Sequence, residues 1–317
     1  MVRAVPGTAT ALALPFADAE PSLPVARSVP AEPPKGQLEP PKGQLLKWIG
    51  SKQRFAPAIV ATFPKDIGTY YEPFVGSAAV LATLAPKRGV ASDVLGPLIE
   101  LWSAVASQPQ DVIAWYTERW HAMHDGDKVS VYRELRDSYN RQPNAADLLF
   151  LTRSCYGGVI RFSKVGAMNT PCGIHRPIPP AEFARRTAAW HARLATTRFV
   201  HSDFEAMLDG AVRGDLVYCD PPYSDSEATL YGAQTFTLSR LLAAIDRAKS
   251  RGVRVALSID GSKRSGQRVC DVPIPPGLFA TEHAVTVGRS MLRRFQMPGQ
   301  TLEHEVVADR LLLTWAA

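Results

Sequence analysis

Short apolar runs of strand length alternate with segments of helical periodicity along most of the chain. Strands are indicated where mainly apolar runs end at an acidic residue, a glycine or a proline. Helices are indicated where apolar residues recur every three or four positions. The pattern predicts strands at 68–72, 89–92, 198–201, 216–219, 253–259 and 306–315, and helices at 51–61, 77–84, 98–107, 181–194 and 238–250.

The order of these elements indicates the fold class. Strands and helices alternate, which is typical of a doubly wound, mostly parallel α/β sheet of the Rossmann-like type. Residues 110–153 are predicted to be mostly helical and interrupt the alternation as an inserted subdomain. Residues 155–173 are rich in glycine and aromatic residues, and are predicted to form a loop or a hairpin. We expect two α/β parts, at 46–114 and 198–317, on either side of a mainly helical subdomain at 115–197.

The first 45 residues differ from the rest of the chain. They are rich in proline and alanine and contain the heptad EPPKGQL twice, at 32–38 and 39–45. Paired prolines disfavour helices and strand ladders, so residues 1–45 are predicted to be a disordered or polyproline-like leader. A signal peptide is the alternative, but two prolines and a glycine interrupt its apolar part.

The composition excludes several classes of protein. The chain has 317 residues, 46% of them hydrophobic, and its apolar runs are far shorter than the roughly 20 residues that span a membrane. The four cysteines are widely separated and form no C-x-x-C pair, which fits a reducing compartment rather than a disulfide framework. The seven histidines lack ligand spacing, so no metal site is expected. We therefore expect a cytoplasmic protein.

The basic charge of the chain is concentrated in one segment. The formal net charge is +6, and residues 115–200 alone carry thirteen Lys and Arg against seven Asp and Glu. A local positive excess favours a polyanion partner, because each cation near a phosphate releases condensed counterions. A solvated basic helix face would explain the same distribution.

The strongest chemical signal is Asp220-Pro221-Pro222-Tyr223, which follows the predicted strand at 216–219. The prolines fix φ and remove backbone donors, so local carbonyl groups are directed outward as acceptors. The Asp220 carboxylate and the Pro221 carbonyl can accept both N–H groups of an exocyclic amine, and the Tyr223 ring offers a stacking face. The motif suits a flat heterocycle that carries an amino group, whereas a proline-rich turn is the structural alternative.

Two further signals lie at strand ends upstream. Glu72-Pro-Phe-Val-Gly76 contains a glycine that permits close backbone approach to a ligand, yet no P-loop and no G-x-G-x-x-G fingerprint is present. Asp93 ends the next strand, where an acidic residue can accept bonds from ribose hydroxyl groups or cap a helix. An adenosine with an amino-acid tail fits this pattern better than a nucleotide phosphate.

The ordered set of motifs resembles the Dam-like DNA adenine-N6 methyltransferases (D12 class, alpha group). The resemblance covers nearly everything from Lys47 to Trp315. It implies methyl transfer from S-adenosylmethionine to adenine N6 in double-stranded DNA, after the base has flipped out of the duplex. The motifs that carry it are K-W-x-G-x-K at 47–52, E-P-F-x-G at 72–76, the acid at Asp93, Ser202-Asp203-Phe204, and D-P-P-Y at 220–223.

The resemblance implies three groups of site residues. The catalytic group, which would hold the target adenine, comprises Asp220, Pro221, Pro222 and Tyr223. The group expected to contact S-adenosylmethionine comprises Trp48, Lys52, Glu72, Phe74, Gly76, Asp93, Asp203, Phe204 and Asp220. The group expected to contact DNA comprises Lys47, Arg153, Tyr156 as an aromatic that enters the duplex, and Arg161 as a base-reading arginine.

The chain departs from the family pattern at several positions. Ala78 stands where members usually have a second glycine, and Leu95 where they usually have asparagine. Gly157 replaces an asparagine of the members that modify GATC, so that recognition sequence is not transferred. The late strand ends in Ser258-Ile259-Asp260, where members often have Ser-Asn. Ala78 and Leu95 are expected to weaken cofactor binding without abolishing it.

Other interpretations stay open at the level of sequence. The same amine chemistry serves cytosine N4 in DNA or adenine in RNA, and a lapsed relative that only binds DNA is a further alternative. The resemblance implies a monomer or weak dimer. It leaves open whether a cognate restriction endonuclease acts on the same DNA site.

Overall fold

The computed structural model describes residues 40–163, 165–222, 236–263, 273–289 and 306–316, and the short strands 27–28 and 268–269. The strands are β1 Arg27–Ser28, β2 Tyr70–Pro73, β3 Gly89–Asp93, β4 Thr197–His201, β5 Leu216–Cys219, β6 Arg254–Lys263, β7 Arg268–Val269, β8 Thr281–Arg289 and β9 Val306–Leu313. The helices are α1 Ala56–Ala61, α2 Ala79–Leu84, α3 Gly96–Ser107, α4 Pro109–Asp125, α5 Lys128–Arg141, α6 Ala145–Ser154, α7 Pro180–Leu194, α8 Phe204–Gly210 and α9 Leu238–Ser250.

These strands form one sheet. Among the described residues its order is β1-β8-β9-β6-β5-β2-β3-β4, with β7 beside β6. The run β4-β3-β2-β5-β6 is parallel throughout, whereas β9 is antiparallel to both β6 and β8. The mostly parallel α/β prediction is confirmed. The chain leaves β2 toward β3 and β4, and later returns to β5 on the other side of β2, so the crevice where ligands bind such sheets lies at the carboxyl ends of β2 and β5.

The apolar residues of the central strand alternate between two cores. Leu216 and Tyr218 of β5 point into the core that contains α1, α2, α3 and α7, whereas Val217 and Cys219 point into the core beneath α8 and α9. All four are buried, because a parallel strand covered on both faces has no polar side. Asp220, the residue that follows β5, lies at the carboxyl edge because the strand ends at Cys219.

The first of these cores continues into the inserted helices. It includes Tyr116 of α4, Tyr132 of α5, Phe150 of α6 and Phe183 of α7, with the Tyr116 and Phe183 rings stacked 3.8 Å apart. Helices α4 to α7 are therefore joined to helices α2 and α3 of the α/β part through shared apolar side chains. The boundaries expected at 114/115 and 197/198 stay a prediction.

The predicted leader needs one correction. Leu45 and Leu46 are fully buried, and the carbonyl oxygens of Gln44 and Leu45 each accept a bond of 2.9 Å from Arg153. Residues 40–45 are therefore part of the folded domain, because Leu45 supplies an apolar anchor that the heptad pattern did not reveal. Arg27–Ser28 also pairs in parallel with β8, where no ladder was expected.

Several elements differ from the sequence predictions. The helix expected over 51–61 begins at Ala56, because Lys52 to Phe55 form a turn that directs the Lys52 side chain inward. Helix α8 and strand β8 were not predicted. Asp203 caps α8 by accepting a bond from the Glu205 N–H at 2.9 Å, a start signal that the sequence did contain. In the described residues, no helix is both long and apolar enough to cross a membrane.

Candidate active site at the carboxyl edge of the sheet

Lys52 and Asp220 form a buried ion pair at the end of β5. The Lys52 Nζ lies 2.9 Å from the Asp220 Oδ1 and 3.3 Å from the Gly50 carbonyl oxygen, and the two side chains are 7% and 18% exposed. Asp220 reaches this position because it directly follows β5, while Lys52 is brought there by the turn before α1. The sequence placed both residues in one site, and the structure brings them into contact.

Asp309 brings a second carboxylate to the same lysine. Its Oδ2 lies 3.6 Å from the Lys52 Nζ, and its side chain is 9% exposed. Because β9 runs antiparallel to β6, its amino-terminal half reaches the edge where the parallel strands end. Sequence reasoning missed Asp309, since it lies in a strand whose neighbours only the fold reveals.

Glu72 is buried next to this pair. The Tyr70 hydroxyl donates a bond of 2.5 Å to the Glu72 Oε2, and Glu72 is 3% exposed. Burial, helped by the nearby Asp220 charge, raises the pKa of Glu72 to about 8, although hydrogen bonds from Tyr70 and from the Leu81 backbone lower it. Glu72 is therefore mostly protonated at neutral pH. It supports the turn after β2 without adding a full negative charge to the site.

The turn after β2 depends on a close backbone approach. Gly76 has φ +43°, and a Cβ there would lie 3.1 Å from the Trp48 Nε1, so the indole ring leaves no room for a side chain. The Gly76 carbonyl accepts a bond of 2.9 Å from Trp102, and its N–H donates a bond of 3.2 Å to the Asp93 Oδ2. The other Asp93 oxygen accepts from the Leu95 N–H at 3.1 Å. Asp93 thus connects the turn at Gly76 to the residue before α3 through hydrogen bonds.

The same turn contains strained residues. Phe74 has φ 74° and Ala78 has φ 54°, both in the left-handed region that favours glycine. A left-handed non-glycine residue costs about 1–2 kcal/mol, and such strain collects at ligand sites. The structure therefore gives a reason for the second glycine of the family motif. At Ala78 this chain tolerates strain that glycine would avoid.

Asp203 and Phe204 lie at the start of α8, beside the same turn. The Phe204 ring stacks on Phe74 at 5.3 Å and meets Phe236 edge-on at 5.8 Å. Arg240 covers Phe204 at 5.1 Å and pairs with Glu205 at 2.7 Å. Phe74 and Phe204 were singled out from the sequence, whereas Phe236 and Arg240 were not. Phe204 is 3% exposed, so the half-buried Phe74 and Phe236 are the rings of this cluster that could meet a ligand.

A hairpin follows α6 and begins at Cys155. Residues 155 and 172 pair, as do 162 and 168, which confirms the predicted loop or hairpin. At the base of the hairpin Tyr156 is 39% exposed, and Arg161 is also exposed. A Cβ at Gly158 would meet the Lys47 side chain at 2.6 Å, so Lys47 packs against this turn. Lys47, Tyr156 and Arg161 are thus associated with one solvent-facing element.

Arg153 contradicts its predicted role in DNA contact. It is 6% exposed, its NH1 donates to the Gln44 and Leu45 carbonyls, and its guanidinium lies 6.0 Å from the Phe183 ring centroid. The position matches the family motif, but the side chain fastens residues 44–45 to the insertion. Burial removes it from any surface that DNA could touch.

The remaining members of the catalytic motif can be placed only in part. Pro221 is buried and Pro222 is half-buried beside Asp220. Tyr223 lies outside the described residues. The contacts above link Trp48, Lys52, Glu72, Gly76, Asp93 and Asp220 along one edge of the sheet.

Comparison with known proteins identifies the family of the chain. The sequence model of the D12 class N6 adenine-specific DNA methyltransferases matches residues 48–267. The chain belongs to this family. D12-class enzymes use S-adenosylmethionine as the methyl donor, and the reaction is methylation of adenine N6 in DNA. Cytosine N4 and RNA adenine are set aside as targets by this assignment.

Individual relatives agree with the family. A DNA adenine methylase of Vibrio cholerae is 28% identical over 225 residues, which cover 67% of this chain and 79% of that protein. A DNA adenine methylase of Salmonella typhimurium is 31% identical over 209 residues, which cover 62% and 71%. A DNA N-6-adenine-methyltransferase of Escherichia phage P1 is 27% identical over 231 residues, or 69% of this chain, and the match spans only 30% of that protein's length.

Proposed function

We propose that the carboxyl edge of β2, β3 and β5 is the active site at which this D12-class protein methylates adenine N6. The observation that carries the proposal is the 2.9 Å contact between Lys52 and Asp220, because it joins a cofactor motif to the catalytic motif. The Asp220 carboxylate and the Pro221 carbonyl accept the two N–H groups of the adenine amine. This holds the nitrogen lone pair toward the methyl donor.

The residues of this edge fit S-adenosylmethionine. The Trp48 indole lies against the Gly76 turn, and the half-buried Phe74 ring offers an apolar face beside it. Asp93 is placed to accept ribose hydroxyl bonds in exchange for its present bonds to backbone N–H groups. When bound, the donor supplies an electrophilic methyl group on a positively charged sulfur. The residues of the chain position the donor, exclude water and hold the adenine amine.

The target adenine must leave the duplex to reach this edge. We propose that the hairpin carrying Tyr156 and Arg161 contacts the DNA, with Tyr156 entering the base stack and Arg161 reading a base. Both side chains are exposed, and the net charge of residues 115–200 is positive. Lys47 adjoins the hairpin at Gly158 and would contact the same DNA segment.

Replacement of Asp220 tests the assignment. Asp220→Ala and Asp220→Asn should lower methyl transfer to duplex DNA by about 100-fold or more, since each removes an anionic acceptor for the amine. Asp209→Ala, an exposed acid on α8, is the matched control and should keep wild-type activity. The assay follows radiolabelled methyl groups, with nucleoside digestion to identify N6-methyladenine and thermal unfolding to check the fold. Full activity of a folded Asp220→Ala protein would contradict the proposal.

A further inference from the structure

Asp309 occupies an unusual position for a charged residue. It is buried in β9, outside the part of the chain that matches the family model, and it contacts Lys52 rather than solvent. Burial of a carboxylate is costly unless a cation compensates it. Lys52 supplies that cation while it also contacts Asp220 at a shorter distance.

The charges of the three side chains matter for the reaction. Lys52, Asp220 and Asp309 carry one positive and two negative formal charges, which leaves one negative charge. S-adenosylmethionine is a sulfonium cation at its reacting centre, whereas the product S-adenosylhomocysteine is a neutral thioether there. A buried negative charge near the sulfur therefore stabilises the substrate form of the cofactor more than the product form.

We propose that Asp309 is a positioning residue that shares Lys52 with Asp220. Its carboxylate satisfies part of the Lys52 charge, which keeps the Asp220 carboxylate able to accept the adenine amine. Its negative charge also favours the sulfonium cofactor over the thioether product. This inference rests on the proposed function, because that function places the cofactor beside Asp220.

Cofactor binding to three variants of the full chain tests this role. Dissociation constants for S-adenosylmethionine and S-adenosylhomocysteine are measured by calorimetry for the wild type, Asp309→Asn and Asp309→Glu. Asp309→Asn should weaken binding of the sulfonium about tenfold more than binding of the thioether, and Asp309→Glu should restore most of the preference. Asp209→Asn removes one exposed negative charge elsewhere and should leave the ratio unchanged.

The outcomes separate this inference from the proposed function. Equal weakening of both ligands by Asp309→Asn, or an unchanged ratio, would overturn the role of Asp309 while loss of activity in Asp220→Ala still supported the active site. A wild-type protein that binds neither ligand would overturn both. If Asp309→Asn fails to fold, Asp309→Ser takes its place: a folded protein with a reduced preference for the sulfonium supports the proposal, and one with the wild-type preference contradicts it.

A separate observation concerns two cysteines at the base of the hairpin. Cys155 and Cys172 are antiparallel partners, and the surrounding bonds run from the Tyr156 N–H to the Pro171 carbonyl and from the Gly173 N–H to the Ser154 carbonyl. This pattern defines a non-hydrogen-bonded pair, whose Cα atoms lie about 4.5 Å apart and whose side chains share one face. A disulfide requires Cα atoms about 4.4–6.8 Å apart.

We infer that Cys155 and Cys172 form a reversible disulfide site. With oxidised glutathione, the partly exposed Cys172 thiolate attacks the glutathione disulfide and releases one glutathione thiol. The Cys155 thiolate then attacks the Cys172 sulfur and releases the second, and the two cysteine protons pass to the two released thiols. The new bond joins Cys155 to Cys172 and so links the two strands at the base of the hairpin. Burial raises the pKa of both thiols, so the exchange is slow at neutral pH.

Mass spectrometry of the whole protein tests the cysteine pair. After incubation of reduced protein with oxidised glutathione, we expect a mass lower by two hydrogen atoms, a tryptic fragment linking Cys155 to Cys172, and reversal by dithiothreitol. Cys172→Ser should lose the link and Cys270→Ser should keep it. A stable glutathione adduct on Cys172 without closure, or a link that uses Cys219 or Cys270, would overturn this inference.

Discussion

The carboxyl edge of the sheet and the hairpin differ in how their polar side chains are held. At the edge, Lys52, Asp220 and Glu72 are largely buried, and charged or polar partners surround them at short distances. In the hairpin, Tyr156 and Arg161 extend from a glycine-containing turn into solvent. Buried charges need fixed partners, whereas exposed side chains can reach a nucleic acid.

This difference fits the division of tasks in the proposed function. Transfer chemistry requires preorganised groups in a site shielded from water, so its residues lie between packed strands and helices. Sequence reading requires contact with DNA and tolerates change, so its residues lie on a loop. Substitutions at the edge should therefore lower the free energy of unfolding, whereas substitutions in the hairpin should weaken DNA binding.

Removal of the shared cation should have the largest effect. Lys52→Met leaves the buried Asp220 and Asp309 carboxylates without the ammonium that neutralises them, and should lower the free energy of unfolding by about 3–5 kcal/mol. Methyl transfer should also be lost. Urea unfolding measures the change, and Lys87→Met, at an exposed site, is the control that should stay within about 0.5 kcal/mol of wild type. An unchanged stability for Lys52→Met would show that the edge is not held as we describe.

Arg153 lies near the end of α6, just before the hairpin, yet it is buried like the residues of the edge. Arg153→Ala removes two bonds to the segment 44–45 and should cost about 2–4 kcal/mol of unfolding free energy. Arg161→Ala, the exposed counterpart, should change stability by less than about 0.5 kcal/mol. Urea unfolding of both proteins tests this contrast. The opposite order of the two values would contradict the structural role of Arg153.

The pKa of Glu72 predicts a pH dependence confined to the edge. Between its ordinary value near 4.5 and about 8, the unfolded carboxyl group is ionised and the folded one is protonated, so the folded state binds the extra proton. The contribution of Glu72 to stability therefore falls as pH rises through that window, by on the order of 3 kcal/mol. Glu72→Gln should flatten the profile measured by urea unfolding at pH 5, 6, 7 and 8. Parallel profiles for the two proteins would contradict the raised pKa.

Tyr156 should give the smallest change in stability and a selective change in binding. Tyr156→Ala should leave the free energy of unfolding within about 0.5 kcal/mol, because the ring is partly exposed. It should weaken DNA binding about tenfold or more through lost stacking on bases. Fluorescence anisotropy with labelled duplex DNA at fixed salt measures this, and Val165→Ala at the exposed hairpin tip is the control. A stable Tyr156→Ala protein with wild-type affinity would remove the hairpin from the DNA interface.

The sequence by itself determined the alternating α/β order, the turn at Gly76 and the placement of Asp220 after a buried strand. Local periodicity and turn chemistry are sufficient for these, because they depend on neighbours along the chain. Only the tertiary structure decided that Asp309 meets Lys52, that Cys155 faces Cys172, and that Arg153 turns inward. Each of these contacts depends on strand order and register or on the packing of distant segments, which no local pattern encodes.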